Sequence, residues 1–204
     1  SSASGEDGAD ASSAGQMETL LGVKENLTGS VVKCWASQFS FQAVQYRRQH
    51  GLPIDTLMAV VIQEMVPADC AGVMFTNDPF NGDSSRMLIN ANFGLGETVV
   101  SGTIEPDTIV LNRSPDNKID TVDCTKGSKR QKAIMLEDSS GIKTLDIEED
   151  SEATKNLSLS QEQIERLAKL GILIENHYGT ARDIEWAIAN GEIKILQARP
   201  DRKS

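Results

Sequence analysis

Asp183-Ile184-Glu185-Trp186-Ala187-Ile188-Ala189-Asn190-Gly191-Glu192-Ile193-Lys194-Ile195-Leu196-Gln197-Ala198-Arg199-Pro200 reads as a β-hairpin. Two alternating segments flank Asn-Gly, the strongest short-range hairpin signal. Ile184, Trp186 and Ile188 share one parity, as in a strand with one buried face. The register decides where the polar residues point. A two-residue Asn190-Gly191 loop pairs Glu185 with Leu196 and Gln197 with Ile184, so Glu185 and Gln197 fall on opposite faces. A three-residue Ala189–Gly191 loop, with Gly191 left-handed, pairs Ile188 with Glu192, Glu185 with Ile195 and Asp183 with Gln197. We expect the second register. It puts Asp183, Glu185, Gln197 and Arg199 on one face and Ile184, Trp186 and Ile188 on the other.

That face has a definite chemistry. Carboxylates, an amide oxygen and a guanidinium suit a magnesium–triphosphate group, because Mg²⁺ takes one or two protein oxygens and completes its shell with phosphate. A guanidinium supplies charge to a transferring phosphoryl group. The same residues would equally form a solvated polar face with an ion pair, and spacing alone leaves both readings open.

Working outward, Ser160-Gln161-Glu162-Gln163 is a capping box opening a helix. Ile164, Leu167, Ala168, Gly171, Ile174 and Tyr178 form its apolar stripe, and Gly179 ends it. A second helix is expected from a Ser37 cap to the stop at Gly51-Leu52-Pro53. Leu57–Gln63, Gly72–Thr76, Met87–Asn92 and Thr108–Leu111 read as strands, with Met58–Ile62 apolar enough to be a buried one. Residues 114–156 read as exposed strands and loops, and residues 1–14 as a loop or tail. Strand clusters with separate helices indicate α+β.

Two glycine segments could face phosphates. Ser13-Ala14-Gly15-Gln16-Met17-Glu18-Thr19 offers backbone N–H groups to an anion, and Gly94-Leu95-Gly96-Glu97 is a bare GxG after a strand. Neither is a P-loop or a dinucleotide fingerprint, and an ordinary turn explains each as well. Gln63-Glu64-Met65-Val66 reads as a strand end or as a hinge bordering a base.

Composition narrows the partners. The chain has 204 residues, 20 Lys+Arg against 30 Asp+Glu, and a net charge of −10. That balance opposes nucleic-acid or anionic-membrane binding. Cys34, Cys70 and Cys124 are widely spaced, as in a reduced cytoplasmic protein. No signal sequence or run of about 18 apolar residues occurs. The first residue is Ser1, which suggests a processed chain or part of a longer one.

Taken together, these stretches resemble the nucleotide-binding domain of the phosphoenolpyruvate synthase and pyruvate phosphate dikinase family, which includes rifampicin phosphotransferases. The matching residues are Ser1–Glu6, Asp10–Thr19, Lys33–Ser37, Gln63–Val66, Gly72–Thr76 with Asp78-Pro79, Asn92–Glu97, Pro106-Asp107, Gly127–Lys129 and Ile174–Pro200. The resemblance implies an ATP-grasp fold, in which two α+β lobes clamp Mg-ATP. It implies Gly15, Gln16 and Thr19 in a phosphate-covering loop, Gln63, Glu64, Met65 and Val66 around adenine, and Glu97 facing the nucleotide. It gives Asp183 and Arg199 catalytic roles and makes Glu185 and Gln197 ligands of Mg²⁺. It further implies transfer of a phosphoryl-containing group to a carrier histidine on a separate domain, and onward to pyruvate or a rifampicin-like acceptor. A catalytically silent nucleotide-binding remnant is the alternative. Family members place a Lys and an Arg upstream of the point matching Ser1. Residues 1–200 are therefore expected to be the C-terminal two-thirds of the domain, with the N-terminal lobe incomplete and the isolated chain inactive. Residues 201–204 would begin a linker or tail.

Overall fold

The computed structural model describes residues 2–3, 17–54, 57–148 and 151–201. The chain divides into two compact units, residues 1–65 with 136–142, and residues 66–135 with 143–204.

In the first unit, α1 spans Leu27–Ser37 and α2 spans Phe41–Gln49. Asn26, left-handed at φ 50°, caps α1 by accepting from the Gly29 N–H. The Ser37 hydroxyl donates to the Cys34 carbonyl and accepts from the Glu18 N–H. It closes α1 instead of opening the next helix, and Ser40 caps α2 by accepting from the Ala43 N–H. The helix expected from Ser37 to Gly51 is thus α2 alone, and α1 was not foreseen. β1 (Ser2–Ala3) pairs with β2 (Met58–Ala59). The Leu57–Gln63 run is not the buried strand its composition suggested. Among the described residues only Met58 and Ala59 join a ladder, and Leu57, Val61 and Ile62 are exposed, Leu57 by 85%. β-Branching favours an extended backbone, but burial needs a sheet to pack on.

The second unit is built on a six-stranded antiparallel sheet. Its strands are β3 (Cys70–Phe75), β4 (Arg86–Phe93), β5 (Asp107–Arg113), β6 (Ile119–Thr125), β9 (Arg182–Ala189) and β10 (Glu192–Pro200). Their order is β10-β9-β3-β4-β5-β6. The expected strands Met87–Asn92 and Thr108–Leu111 lie within β4 and β5, and Gly72–Thr76 overlaps β3, running one residue past it. Between β4 and β5 comes the short α3 (Glu97–Val100). The polar stretch after β6 supplies a β7–β8 pair (Gln131–Met135 and Ile142–Asp146) and α4 (Glu152–Lys155). This antiparallel sheet with separate helices is the α+β arrangement expected.

Helix α5 (Gln161–Tyr178) has the capping box read from its sequence: Ser160 Oγ accepts from Gln163 N–H, and Gln163 Oε1 accepts from Ser160 N–H. Ile164, Leu167, Ala168, Gly171 and Ile172 are buried in its apolar stripe. Ile164, Leu167, Ala168 and Ile172 join Met74, Met87, Ile89, Ile109, Leu111, Ile184, Trp186 and Ile188 in one core. A Cβ at Gly171 would lie 2.7 Å from Met74 Cε, so the missing side chain lets helix and sheet approach. Tyr178 departs from the expected stripe: it is exposed, under the Arg182 guanidinium. Among the described residues no helix is long and apolar enough to cross a membrane.

Candidate functional site

The β9–β10 hairpin turns through Asn190 and Gly191, at φ 51° and 77°, with Glu192 opposite Ala189. This is a two-residue turn with both central residues left-handed, the geometry Asn-Gly favours. The expected three-residue loop is therefore wrong. Asp69 explains part of the outcome, since its carboxylate accepts from the Asn190 N–H and its own N–H donates to the Ile188 carbonyl.

The polar residues nevertheless reach one face, by another route. Ile195 lies opposite Trp186, and the next pair is Gln197 opposite Glu185, followed by Arg199 opposite Asp183. Leu196 is the extra residue of a β-bulge. It shifts the register by one and turns Gln197 and Arg199 onto the face of Glu185 and Asp183. β10 is an edge strand, where a bulge disturbs one ladder instead of two.

On this face the Arg199 guanidinium holds Asp183. Nε donates to Asp183 Oδ2 at 2.8 Å, and Nη2 lies 2.7 Å from the same oxygen. Asp183 is buried, so the pair is desolvated on the carboxylate side and aimed outward on the guanidinium side. Glu185 is half-buried, and its carboxyl has no hydrogen-bond partner among the described residues. Burial pushes its pKa up, Arg199 pulls it down, and the Asp183 and Glu97 charges push it up again.

Glu97 opens α3, and the preceding loop is fixed by its backbone. The Gly94 N–H donates to the Asp69 carbonyl, and the Leu95 N–H to the Ala133 carbonyl. Gly94 sits at φ 74°, where a Cβ would come within 2.3 Å of the Ala133 carbonyl oxygen, so only glycine fits there. The GxG that was weak as a motif is thus a close backbone crossing that delivers Glu97.

The other expected nucleotide contacts are placed as follows. Gly15 and Gln16 lie outside the described residues. Thr19, Gln63 and Glu64 are exposed and Met65 is half-buried, all in the first unit, while half-buried Val66 begins the second.

One cluster was missed. Lys129 and Asp107 form an ion pair at 2.7 Å with both side chains 0% exposed. Asp107 also accepts from the Gly127 N–H and from the N–H and hydroxyl of Ser158, and Lys129 Nζ donates to the Asn156 carbonyl. Burial pushes the adjacent Cys70 thiol up to about 12 and keeps it neutral. Pro106-Asp107 and Gly127–Lys129 are among the matching stretches, and this ion pair ties β5, the following loop and the segment before α5. Charged residues some 20 positions apart carry no periodic signal that would have shown this.

Among the described residues no group of three or more His, Cys, Asp or Glu side chains is gathered to hold a metal. A cation completed by phosphate needs fewer protein ligands. Glu185 and Gln197 stand opposite one another in the ladder, so their side chains could offer a hard-oxygen pair of that kind.

The chain matches the family model described as pyruvate phosphate dikinase, AMP/ATP-binding domain, over residues 1–204. It is 45% identical over 98% of its length to a probable phosphoenolpyruvate synthase of Archaeoglobus fulgidus, covering 26% of that protein. It is 40% identical over 98% of its length to a probable phosphoenolpyruvate synthase of Methanocaldococcus jannaschii, covering 17% of it. It is 37% identical over 98% of its length to a rifampicin phosphotransferase of a Streptomyces species, covering 22%. The chain thus spans about a quarter or less of these relatives. This chain belongs to the pyruvate phosphate dikinase AMP/ATP-binding domain family.

Proposed function

We propose that this chain is the Mg-ATP-binding part of a phosphoenolpyruvate synthase-like phosphotransferase with an ATP-grasp fold. In this reading it donates a phosphoryl-containing group to a carrier histidine on another domain, and the group passes on to pyruvate. The observation that carries the reading is the hairpin face, where Glu185 stands opposite Gln197 and Arg199 opposite Asp183.

Each residue then has a task. Asp183 fixes the direction of Arg199, whose guanidinium neutralises charge on the group in transfer. Glu185 and Gln197 would hold Mg²⁺, which when bound neutralises phosphate oxygens. Glu97 faces the same site. Gly15, Gln16 and Thr19 would cover the phosphates, and Gln63, Glu64, Met65 and Val66 would border adenine. Catalysis of this kind is mostly positioning and charge neutralisation. Neither His50 nor His177 follows a serine as in the Ser-His pattern of such a carrier, so the acceptor is sought on another domain.

The similarity to rifampicin phosphotransferases supports a second reading, in which the same site serves a rifampicin-like final acceptor. Thermal unfolding of the full-length protein with Mg-ATP tests the shared step. A ligand at 100 times its Kd stabilises by about 2.7 kcal/mol, and Glu185→Ala with Gln197→Ala is expected to abolish the gain. No protection by Mg-ATP, and no effect of the double substitution, would overturn both readings.

A further inference from the structure

We propose that Asn92 is a positioning residue that sets Glu97 against the hairpin charges. This rests on the nucleotide reading above. Asn92 is 0% exposed on β4. It lies opposite Ala71, which lies opposite Ala187 on β9, so Asn92 shares the sheet face of Glu185. The start of α3 rests on that face as well: a Cβ at Gly96 would be 3.6 Å from the Ala71 Cβ.

Helix α3 spans Glu97–Val100 and has no side-chain cap at Gly96. So short a helix holds no position of its own. The backbone bonds of Gly94 and Leu95 hold the loop before it, and Asn92 adds a side-chain anchor on the helix itself. Its Nδ2 donates to Thr98 Oγ1 at 3.0 Å and to the Gln131 carbonyl at 2.8 Å. Because that carbonyl only accepts, the amide can point only one way. One NH₂ group thus clamps the residue next to Glu97 to β4 and to β7. The Asn92 Oδ1 is buried with no hydrogen-bond partner among the described residues. Leaving a buried acceptor unpaired is costly. The two hydrogen bonds donated by the other end of the amide offset that cost.

The test is a double-mutant cycle on Mg-ATP affinity in the full-length protein. Asn92→Ala and Thr98→Val are each expected to weaken binding at least about tenfold, as groups supporting a ligand-binding residue do. Glu97→Gln should cost a similar factor, and adding it to Asn92→Ala should cost nothing more. Thr98→Ser, which keeps the hydroxyl, should bind as the parent does. A general packing role would instead give independent, multiplying losses and no rescue by serine, and that result overturns the proposal. If Asn92→Ala does not fold, the Thr98→Val and Thr98→Ser pair with Glu97→Gln decides alone. If Glu97→Gln and Glu185→Gln both leave Mg-ATP affinity unchanged, the nucleotide reading itself falls and takes this proposal with it.

Discussion

Glu185 bears a cost that the folded chain does not recover by itself. It is half-buried and has no hydrogen-bond partner among the described residues; burial, with the Asp183 and Glu97 charges, raises its carboxyl above the ordinary value despite Arg199. The folded state therefore holds this proton more tightly than the unfolded chain does. Its contribution to stability is complete below the usual carboxylate value of about 4.3, and is lost as pH rises through the higher folded-state value. Glu185→Gln removes the titration while keeping the shape. In metal-free buffer the variant should melt above the parent at pH 7, and the gap should close towards pH 4. For a chain of this size each kcal/mol recovered raises Tm by about 2–4 °C. The same variant should lose its response to Mg-ATP. A more stable protein with a poorer site is the signature of a carboxylate kept for a ligand. An equal Tm at every pH would show instead that water already satisfies the group.

At the level of the hairpin, a shared face and a shared register are separate facts. Asn190-Gly191 carries the two-residue turn openly in the sequence, whereas the three-residue loop puts Glu185 and Gln197 on one face by register alone. The bulge at Leu196 reconciles the two. Nothing in Ile195-Leu196-Gln197 marks the bulge, because such a residue is selected by what lies across the sheet and not by its own preference. Two deletions separate turn from bulge. Removing Leu196 leaves Gln197 next to Ile195, still opposite Glu185, with Arg199 still opposite Asp183, so fold and site should both survive. Removing Ala198 instead brings Arg199 opposite Ile184 and turns its guanidinium toward the core, while Asp183 loses its partner. Stranding buried charges in this way costs on the order of 3–5 kcal/mol. Circular dichroism melts of the two deletions should differ accordingly, and equal melts would mean that β10 re-registers freely. Helix α5 is the opposite case: its capping box, terminal glycine and the stripe from Ile164 to Gly171 are local and legible, and only the stripe's end at Tyr178 departs.

For the whole molecule, burial divides unevenly between the two units. Among the described residues the buried apolar side chains of the first unit are Cys34 and Ala43, whereas the second holds the continuous core from Cys70 to Ile188. The sequence concealed this imbalance, because the strongly apolar run Met58–Ile62 belongs to the poorly buried unit. Its partners are set by contacts distant in sequence, as are those of Lys129 and Asp107. The distribution suits the proposed chemistry. With a net charge of −10 the chain repels an anionic ligand at long range, and local groups must hold it. Asp183 and Glu185 stand on β9, between β10 and β3 in the sheet, which fixes them within the best-packed part of the chain. Native-state hydrogen exchange should report the division. Amides of β3, β4 and β9 are buried in the ladder and should exchange only when the second unit opens as a whole. Amides of α1 and α2 rest on a thin apolar base and should exchange on the order of tenfold faster or more. Mg-ATP should slow β9 and β10 further if Glu185 and Gln197 meet the ligand. Uniform protection across all these elements would instead mean that the second unit's core does not set its stability apart, and that the chain opens as one cooperative body.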